Sequence, residues 1–343
     1  MPELTALVTF CKHHLRPGRP GVWAVAAACA RLVARVGLGA GLLLLLLMAG
    51  AVGPAAADAS SDASGKNTPR LATLDWGIAQ NLTAMGVPPI AVGQTAGYAT
   101  WVGAPPLPAK TRDLGLRAQP NLELLSQLEP DRILITEMYR AIEPKLERVA
   151  PVSTVDVYFT PGPVWHNTVA AARKLGRIAG RPEAAEALIR RTKKNIRDAA
   201  ARLPANTAPL LVVQFADFRH VRIYGRGSLI QATMRRMGLE NAWHGKTTRW
   251  GMAVVPLSRL AQIENGRVVV MGPVPVGVTD EIAASRLWRS LPVVGNAPVV
   301  YIPEVWSFGG LPSASRFARL VAGALRSAPA SGLGWPRQPA GGS

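Results

Sequence analysis

The stretch PEAAEALIRRTKKNIRDAAARL, residues 182–203, decides the fold that we predict from this sequence. It contains neither glycine nor proline after its first residue, and proline is favoured at the first position of a helix. Acidic residues lie near its start and basic residues near its end, which matches the polarity of the helix dipole. A helix over this stretch would be about 33 Å long at 1.5 Å per residue, long enough to connect two lobes. An ordinary packing helix is the alternative that this stretch alone leaves open.

Strand-like and helix-like segments alternate on both sides of this stretch. The apolar runs typical of buried strands are 71–74, 90–92, 132–136, 210–215, 268–271 and 299–302. Such an alternation predicts an α/β fold with parallel strands in each half. We therefore predict an N-terminal lobe over 70–181, an interlobe helix over 182–203 and a C-terminal lobe over 204–327.

The two ends of the chain predict segments outside the lobes. A long apolar run over 36–52 is preceded by Arg31 and Arg35 and followed by three alanines, a pattern typical of a secretory signal peptide. We predict that residues 1–57 form this leader and that the mature protein is periplasmic, with an uncleaved membrane anchor as the alternative. The polar residues 58–69 predict a flexible lead-in, and the proline- and glycine-rich residues 328–343 predict a disordered tail.

Cysteine usage and charge narrow the class of protein. Both cysteines, Cys11 and Cys29, lie in the predicted leader, so the mature chain would have no disulfide and no thiol-ligated metal site. The whole chain carries a net charge of +18, and +14 remains once the net +4 of the leader is removed. For an exported protein this charge favours an anionic ligand or envelope surface, and we predict no nucleic-acid partner. A generally arginine-rich surface is the alternative explanation.

Motifs for catalysis and for metal binding are missing from the sequence. There is no Gly-x-Ser-x-Gly nucleophile elbow, and the histidines of the predicted mature chain, His166, His220 and His244, lack the spacing of a zinc pair. The carboxylates show no paired-acid signature either. We therefore predict a protein that is not an enzyme, without catalytic or metal-ligating residues; an exported α/β hydrolase is the less favoured alternative.

Tryptophan is used at turns rather than inside apolar runs. Trp101, Trp250 and Trp306 each lie near the end of a predicted element. A tryptophan at such a junction can line a ligand cleft with a wide apolar face, although it can also cover the edge of a core.

Several of these segments carry a family resemblance. They are Leu74-Asp75-Trp76, WVGAPPLP at 101–108, DLGLR at 113–117, PNLELL at 120–125, NAWHG at 241–245 with Trp250-Gly251, and Val305-Trp306. Their order and spacing resemble the periplasmic ferric hydroxamate-binding proteins of siderophore ABC importers, over roughly residues 70–325. The resemblance implies two α/β lobes joined by one long rigid helix, with the ligand cleft between the lobes, as in class III periplasmic binding proteins. Haem, cobalamin and catecholate-siderophore binders share this layout and remain alternatives.

The resemblance also implies roles for single residues. Arg117 matches an arginine that contacts the iron-chelating oxygens, and Tyr139 matches a tyrosine that donates to the same oxygens. Trp250 and Trp306 match aromatic walls of the cleft, and we place Trp101 with them. The ferric ion would be held by the siderophore alone, so no protein cofactor is expected.

Two positions depart from the family pattern. Phe308 stands where the pattern leads us to expect tyrosine, and Arg249, beside Trp250, makes the cleft more basic than expected; we include both among the ligand-binding residues.

The resemblance also implies positions that dock to the importer. In the related importers an acidic residue on each lobe pairs with arginines of the membrane subunits. The matching positions are Glu123 and Ser258, of which the second is not acidic. The expected partners are therefore a ferric siderophore and ABC importer membrane subunits, and we expect a monomer.

Overall fold

The computed structural model describes residues 68–328. The predicted leader, nearly all of the predicted lead-in and residues 329–343 of the predicted tail lie outside the described residues. The described residues all belong to one compact unit, Gly65–Ser343. Across residues 68–328, no helix has both the length and the hydropathy needed to span a bilayer.

The first half of the described chain forms a parallel sheet with helices around it. Its strands are β1 (Leu71–Thr73), β2 (Ala91–Val92), β3 (Arg112–Asp113), β4 (Gly115–Leu116), β5 (Gln119–Pro120), β6 (Arg132–Ile135) and β7 (Val152–Thr154). Five of them pair in the order β3-β2-β1-β6-β7, all parallel, while β4 and β5 form a separate antiparallel hairpin. The helices are α1 (Trp76–Ala84), α2 (Thr95–Trp101), α3 (Leu122–Gln127), α4 (Glu143–Leu146) and α5 (Val164–Ile178), with a 3-10 helix at Glu137–Ile142.

A long helix, α6 (Pro182–Ala200), leads from the first half to the second. It begins at Pro182, the residue that the sequence places first, and ends before the predicted last residue, Leu203. Its buried residues recur every three or four positions and so share one face: Ala185, Leu188, Ile189, Thr192, Ile196 and Ala199.

The second half contains a mixed sheet. Its strands are β8 (Leu210–Phe215), β9 (His220–Tyr224), β10 (Met252–Pro256), β11 (Arg267–Met271) and β12 (Val300–Ile302), in the order β10-β9-β8-β11-β12. The helices are α7 (Leu229–Arg236), α8 (Val278–Ala284), α9 (Arg286–Ser290), α10 (Pro292–Gly295) and α11 (Leu311–Ser327), with a 3-10 helix at Leu257–Gln262. Strands β9 and β10 are antiparallel and so differ from the predicted parallel arrangement. The connection from β8 to β9 is too short for the crossover that a parallel pair needs, so the chain folds back as a hairpin.

One hydrophobic core lies beneath both sheets. It includes Leu71 and Leu134 of the first sheet, Leu210 and Val269 of the second, and buried faces of α5, α6, α7 and α11. Helix α11 packs along α6 and also contacts α1 of the first half. The structure therefore confirms two α/β lobes joined by a long helix, and it adds that α11 also connects the lobes through its contacts with α1 and α5. The residue boundaries of the lobes stay predictions.

Gly176 allows helices α5 and α6 to approach closely. A Cβ atom at this position would lie 2.5 Å from the Cβ of Ala185 and 3.1 Å from the carbonyl oxygen of Arg181. Neither neighbour is the flexible end of a side chain, so an added methyl group would push the helices apart.

We predict that Gly176→Ala lowers the free energy of unfolding by about 1 kcal/mol. Alanine favours a helix by about 1 kcal/mol over glycine, but overpacking a tight core costs about 1–3 kcal/mol, and the second effect wins here. The matched control is Gly323→Ala in α11, where a Cβ atom would meet nothing within 4 Å and stability should rise. Denaturant unfolding of both variants measures the difference; equal changes of the same sign would contradict the tight α5–α6 contact.

Candidate functional site

A pocket opens between the two lobes, and segments from both of them line it. The first lobe contributes the start of α1, the end of β6 and the loop after β7, while the second contributes the turn before β10 and the loop after β12. Representative lining residues are Asp75, Thr136, Tyr158, Trp250 and Phe308. The carboxyl ends of parallel strands meet here, which is where α/β sheets usually bind ligands.

Asp75 supplies a buried carboxylate at the floor of this pocket. It is the N-cap of α1, and its Oδ1 accepts a hydrogen bond from the backbone N–H of Ile78 at 3.0 Å. The hydroxyl of Thr136 donates to Oδ2 at 3.3 Å. Burial raises the pKa of Asp75, while the Ile78 N–H and the positive charge of Arg117 act in the opposite direction. The carboxylate therefore serves helix capping and also balances the charge of the arginine above it.

Arg117 follows strand β4 and lies over an aromatic surface. Its guanidinium carbon is 3.9 Å from the ring centroid of Trp76 and 5.8 Å from that of Trp306. Gly93 leaves space for the aliphatic part of the Arg117 side chain, because a Cβ atom at position 93 would lie 2.9 Å from the Cγ of Arg117. The indole N–H of Trp76 donates to the backbone oxygen of Gly93 at 2.8 Å, which fixes the ring beneath the guanidinium. Stacking leaves the guanidinium edge, with its N–H donors, available to a ligand.

Tyr139 belongs to the same cluster. Its side chain is only 6% exposed, on the 3-10 helix that follows β6. Burial raises the pKa of the Tyr139 hydroxyl and the charge of Asp75 adds to this, whereas Arg117 lowers it through its charge and a hydrogen bond. Tyr139 thus keeps its proton and remains a neutral donor beside Arg117. The structure brings these two predicted ligand residues together.

A row of aromatic rings packs edge to face from Tyr158 and Phe308, which line the pocket, to Trp76 beneath Arg117. Ring centroids are 4.9 Å apart for Trp76 and Trp306, 5.3 Å for Trp306 and Phe308, and 5.9 Å for Phe308 and Tyr158. The Tyr158 hydroxyl donates to the backbone oxygen of Ser307 at 3.0 Å, which ties the first lobe to the loop after β12. Within the described residues, the indole N–H of Trp306 is shielded from water and has no hydrogen-bond partner.

Trp250 and Arg249 form a second edge of the pocket. The Trp250 ring lies 6.1 Å from that of Phe159, at 74° to it, and the guanidinium carbon of Arg249 lies 4.8 Å from the Phe159 centroid. Arg249 is exposed and so adds positive charge at the mouth of the pocket.

The remaining predicted residues lie farther from the pocket floor. Trp101, the last residue of α2, packs against the small core that contains Trp76, which fits a residue covering a core edge. Glu123 is exposed in the first turn of α3, which Asn121 caps, and Ser258 is exposed in the 3-10 helix after β10. The ligand and docking roles of all these residues stay predictions.

Asp75, Trp76 and Tyr158 are not among the ligand-binding residues predicted from the sequence. Asp75 was recognisable only as a helix cap, and nothing local shows that Arg117, far along the chain, lies above it. Trp76 stood among the residues of the family resemblance, but its contact with Arg117 depends on the packing of β2 and β4. In the part of the chain that the structure describes, no group of three or more His, Cys, Asp and Glu side chains could hold a metal ion.

Comparison with known proteins identifies the family. A model of the family described as periplasmic binding protein matches residues 71–305. The chain is similar to the iron(3+)-hydroxamate-binding protein FhuD of Escherichia coli, with 32% identity over 261 residues that cover 75% of this chain and 86% of the relative.

Solved structures show the same fold. FhuD from Vibrio cholerae, bound to Fe3+-Desferal, is similar with a TM-score of 0.69 and 25% identity, covering 77% of this chain and 100% of that one. The triscatecholate siderophore-binding protein FeuA from Bacillus subtilis has a TM-score of 0.62 at 16% identity, covering 75% of this chain and 92% of that one, and shows likeness of fold alone. Together with the two lobes and the pocket between them, the family match over 71–305 shows that this chain belongs to the periplasmic binding protein family.

Proposed function

We propose that this protein captures a ferric siderophore of the hydroxamate type in its interlobe cleft and delivers it, after export, to an ABC permease for iron uptake. The observation that carries this proposal is the cluster of Arg117 and Tyr139 above a buried carboxylate, flanked by aromatic rings from both lobes. The named ligands of the two FhuD relatives support the hydroxamate class.

The chemistry of the cluster suits a ferric hydroxamate. Such a ligand presents partly negative oxygens around the iron and an apolar shell outside them. Arg117 can donate several charge-assisted hydrogen bonds to these oxygens, and Tyr139 adds a neutral donor. The siderophore itself fills the coordination sphere of the iron, so the metal is cargo and needs no protein ligand.

The aromatic rings would bury the carbon skeleton of the ligand. Trp306 and Phe308 come from the second lobe and Trp76 from the first, so a ligand between them would contact both lobes at once. Ring faces do not impose one orientation, which permits several siderophores of similar size. Phenylalanine at 308 keeps the ring and removes the hydroxyl that we expected there.

A second candidate function is the capture of an anionic siderophore, such as a ferric catecholate, on the same fold. The specific observation in its favour is Arg249, whose guanidinium lies against Phe159 at the mouth of the pocket. A titration panel that contains a ferric hydroxamate and a ferric catecholate distinguishes the two ligand classes.

The first prediction concerns ligand contact. Arg117→Ala should weaken the binding of a ferric hydroxamate by about 1.5–3 kcal/mol, the range for a lost hydrogen bond to a charged group. Arg148→Ala, at an exposed arginine of the same lobe, is the control and should bind normally. Fluorescence titration gives the affinities, and unchanged binding by the Arg117 variant would remove its role.

The second prediction concerns the aromatic walls. Ferric siderophores absorb near the emission of tryptophan, so binding should quench Trp250 and Trp306. The double variant Trp250→Phe, Trp306→Phe should lose most of the ligand-dependent quenching, whereas Trp165→Phe, at a buried tryptophan of α5, should retain it. Full quenching in the double variant would place the walls elsewhere.

The third prediction concerns docking to the permease. Glu123→Ala should leave ligand affinity intact, because the residue is exposed on α3 and does not line the pocket. It should reduce ligand-dependent stimulation of the ATPase of the reconstituted permease, more strongly at low salt than at high salt. Glu147→Ala, at another exposed carboxylate of the first lobe, is the control. Normal stimulation of the Glu123 variant at every ionic strength would leave Glu123 only its interaction with the helix dipole.

A further inference from the structure

We infer that Arg222, on the second lobe, is a further ligand-contacting cation that selects siderophores with a negative charge outside their iron-chelating groups. The inference rests on the proposed function and narrows its substrate class from ferric hydroxamates in general to hydroxamates with an additional carboxylate.

The alternation of strand β9 fixes the direction of this side chain. Val221 and Ile223 are fully buried in the outer core of the second lobe. Arg222 stands between them in sequence and therefore projects from the opposite face of the sheet, together with Tyr224. Tyr224 belongs to the core shared between the lobes, so this face is the one directed towards the first lobe.

The position along the strand places Arg222 near the edge of the second sheet at which the parallel strands end and the pocket lies. It pairs with Gln214 near the carboxyl end of β8. Strand β12 is parallel to β8 but separated from it by β11, and it leads from the same edge of the sheet to Trp306 and Phe308. On its other side it pairs with Val254 of β10, which shares the same sheet face and is 57% exposed. Since the apolar side chain next to Arg222 is uncovered, no segment within residues 68–328 fills the space in front of this part of the sheet.

The guanidinium of Arg222 is held firmly but lacks a counter-charge. Its Nη1 donates to Oε1 of Gln214 at 2.8 Å, and the same oxygen accepts from the hydroxyl of Tyr224 at 2.8 Å. Gln214 is itself buried and donates to the backbone oxygen of Gly272 at 2.8 Å. Within residues 68–328, Nε of Arg222 has no hydrogen-bond partner, and no carboxylate lies within 4.0 Å of the guanidinium.

This network also reaches the pocket already described. The pKa of Tyr224 is raised by burial and lowered by contacts with Ser307 and Arg222. Ser307 in turn accepts the hydrogen bond of Tyr158, which lines the pocket beside Phe308. Arg222 is therefore connected to the pocket floor through fixed hydrogen bonds rather than through a mobile loop.

Partly burying an arginine that has no ion-pair partner costs free energy, and a ligand that supplies the opposite charge offsets this cost. Arginine keeps its charge at any physiological pH, and a partly desolvated charge is strongly favoured by an anionic partner. Neither Arg117 nor Arg222 forms an ion pair within 4.0 Å in residues 68–328, but Arg117 interacts with the charge of Asp75. Arg117 would serve the chelate oxygens, and Arg222 would bind an anion carried by the ligand. Peripheral carboxylates are common on citrate-based hydroxamates, which makes them the ligand class that fits.

The test compares two ferric hydroxamates with different charge. Ferrichrome has three hydroxamates and no free carboxylate, whereas ferric aerobactin has two hydroxamates on a citrate core and is anionic. Tryptophan fluorescence titration of the mature wild-type protein should give tighter binding of ferric aerobactin than of ferrichrome, and this preference should fall as salt is added.

Arg222→Gln should weaken ferric aerobactin binding by about 10- to 100-fold and leave ferrichrome binding nearly unchanged. Arg222→Lys keeps the positive charge but lacks the planar guanidinium group, so it should retain part of the preference for ferric aerobactin that Arg222→Gln loses. Arg286→Gln removes the same charge at an exposed arginine of α9, whose Trp288 packs in the outer core of the second lobe, and should change neither affinity.

The outcomes that overturn the inference are distinct from failure of the proposed function. Equal weakening of both ligands by Arg222→Gln would mean that the arginine only supports the second sheet. Unchanged ferric aerobactin binding by that variant, or a wild-type protein that binds ferrichrome alone, would show that Arg222 meets no ligand anion. A wild-type protein that binds no ferric hydroxamate would instead contradict the proposed function itself.

Discussion

The hydrophobic layer that underlies both sheets is the constraint on which the rest of the structure depends. Side chains of α5, α6 and α11 pack with Leu71 of the first sheet and Leu210 of the second in one continuous core. Separating the lobes would expose part of this apolar surface, at about 25 cal/mol for each Å². The relative orientation of the lobes is therefore set by the core, and the cleft between them exists before any ligand binds.

The charged groups Asp75 and Arg117 are held in place by the elements that pack on this core. Asp75 is held by the first turn of α1 and by Thr136, so its carboxylate cannot move away from Arg117. Trp76 is likewise held by its bond to the oxygen of Gly93 and supports the guanidinium from below. Under the proposed function, a site built in this way would lose little conformational entropy when a ligand binds, which would strengthen binding without any additional contact.

The sequence allowed the α/β class and the start of α6 at Pro182 to be predicted, because the alternation of segments, the proline and the order of charges are local signals. The family resemblance marked Arg117 and Tyr139, which the structure brings together, while their ligand roles stay predictions. The antiparallel strands β9 and β10 were missed because their alternating polar and apolar residues form no continuous apolar run, and sequence alone does not show strand direction. Arg222 was missed for a related reason: the alternation with Val221 and Ile223 separates two faces of the strand, but only the packing of the sheet shows that the face shared with Tyr224 is directed towards the first lobe.

The shared core has a kinetic consequence for uptake. A protein whose lobes are held by a shared core would present almost the same outer surface with and without its ligand. Under the proposed function, empty molecules would compete with loaded ones for the same permease. The rate of import would then depend on the fraction of the binding protein that is loaded, so that overproduction at low siderophore concentration would slow iron entry rather than accelerate it.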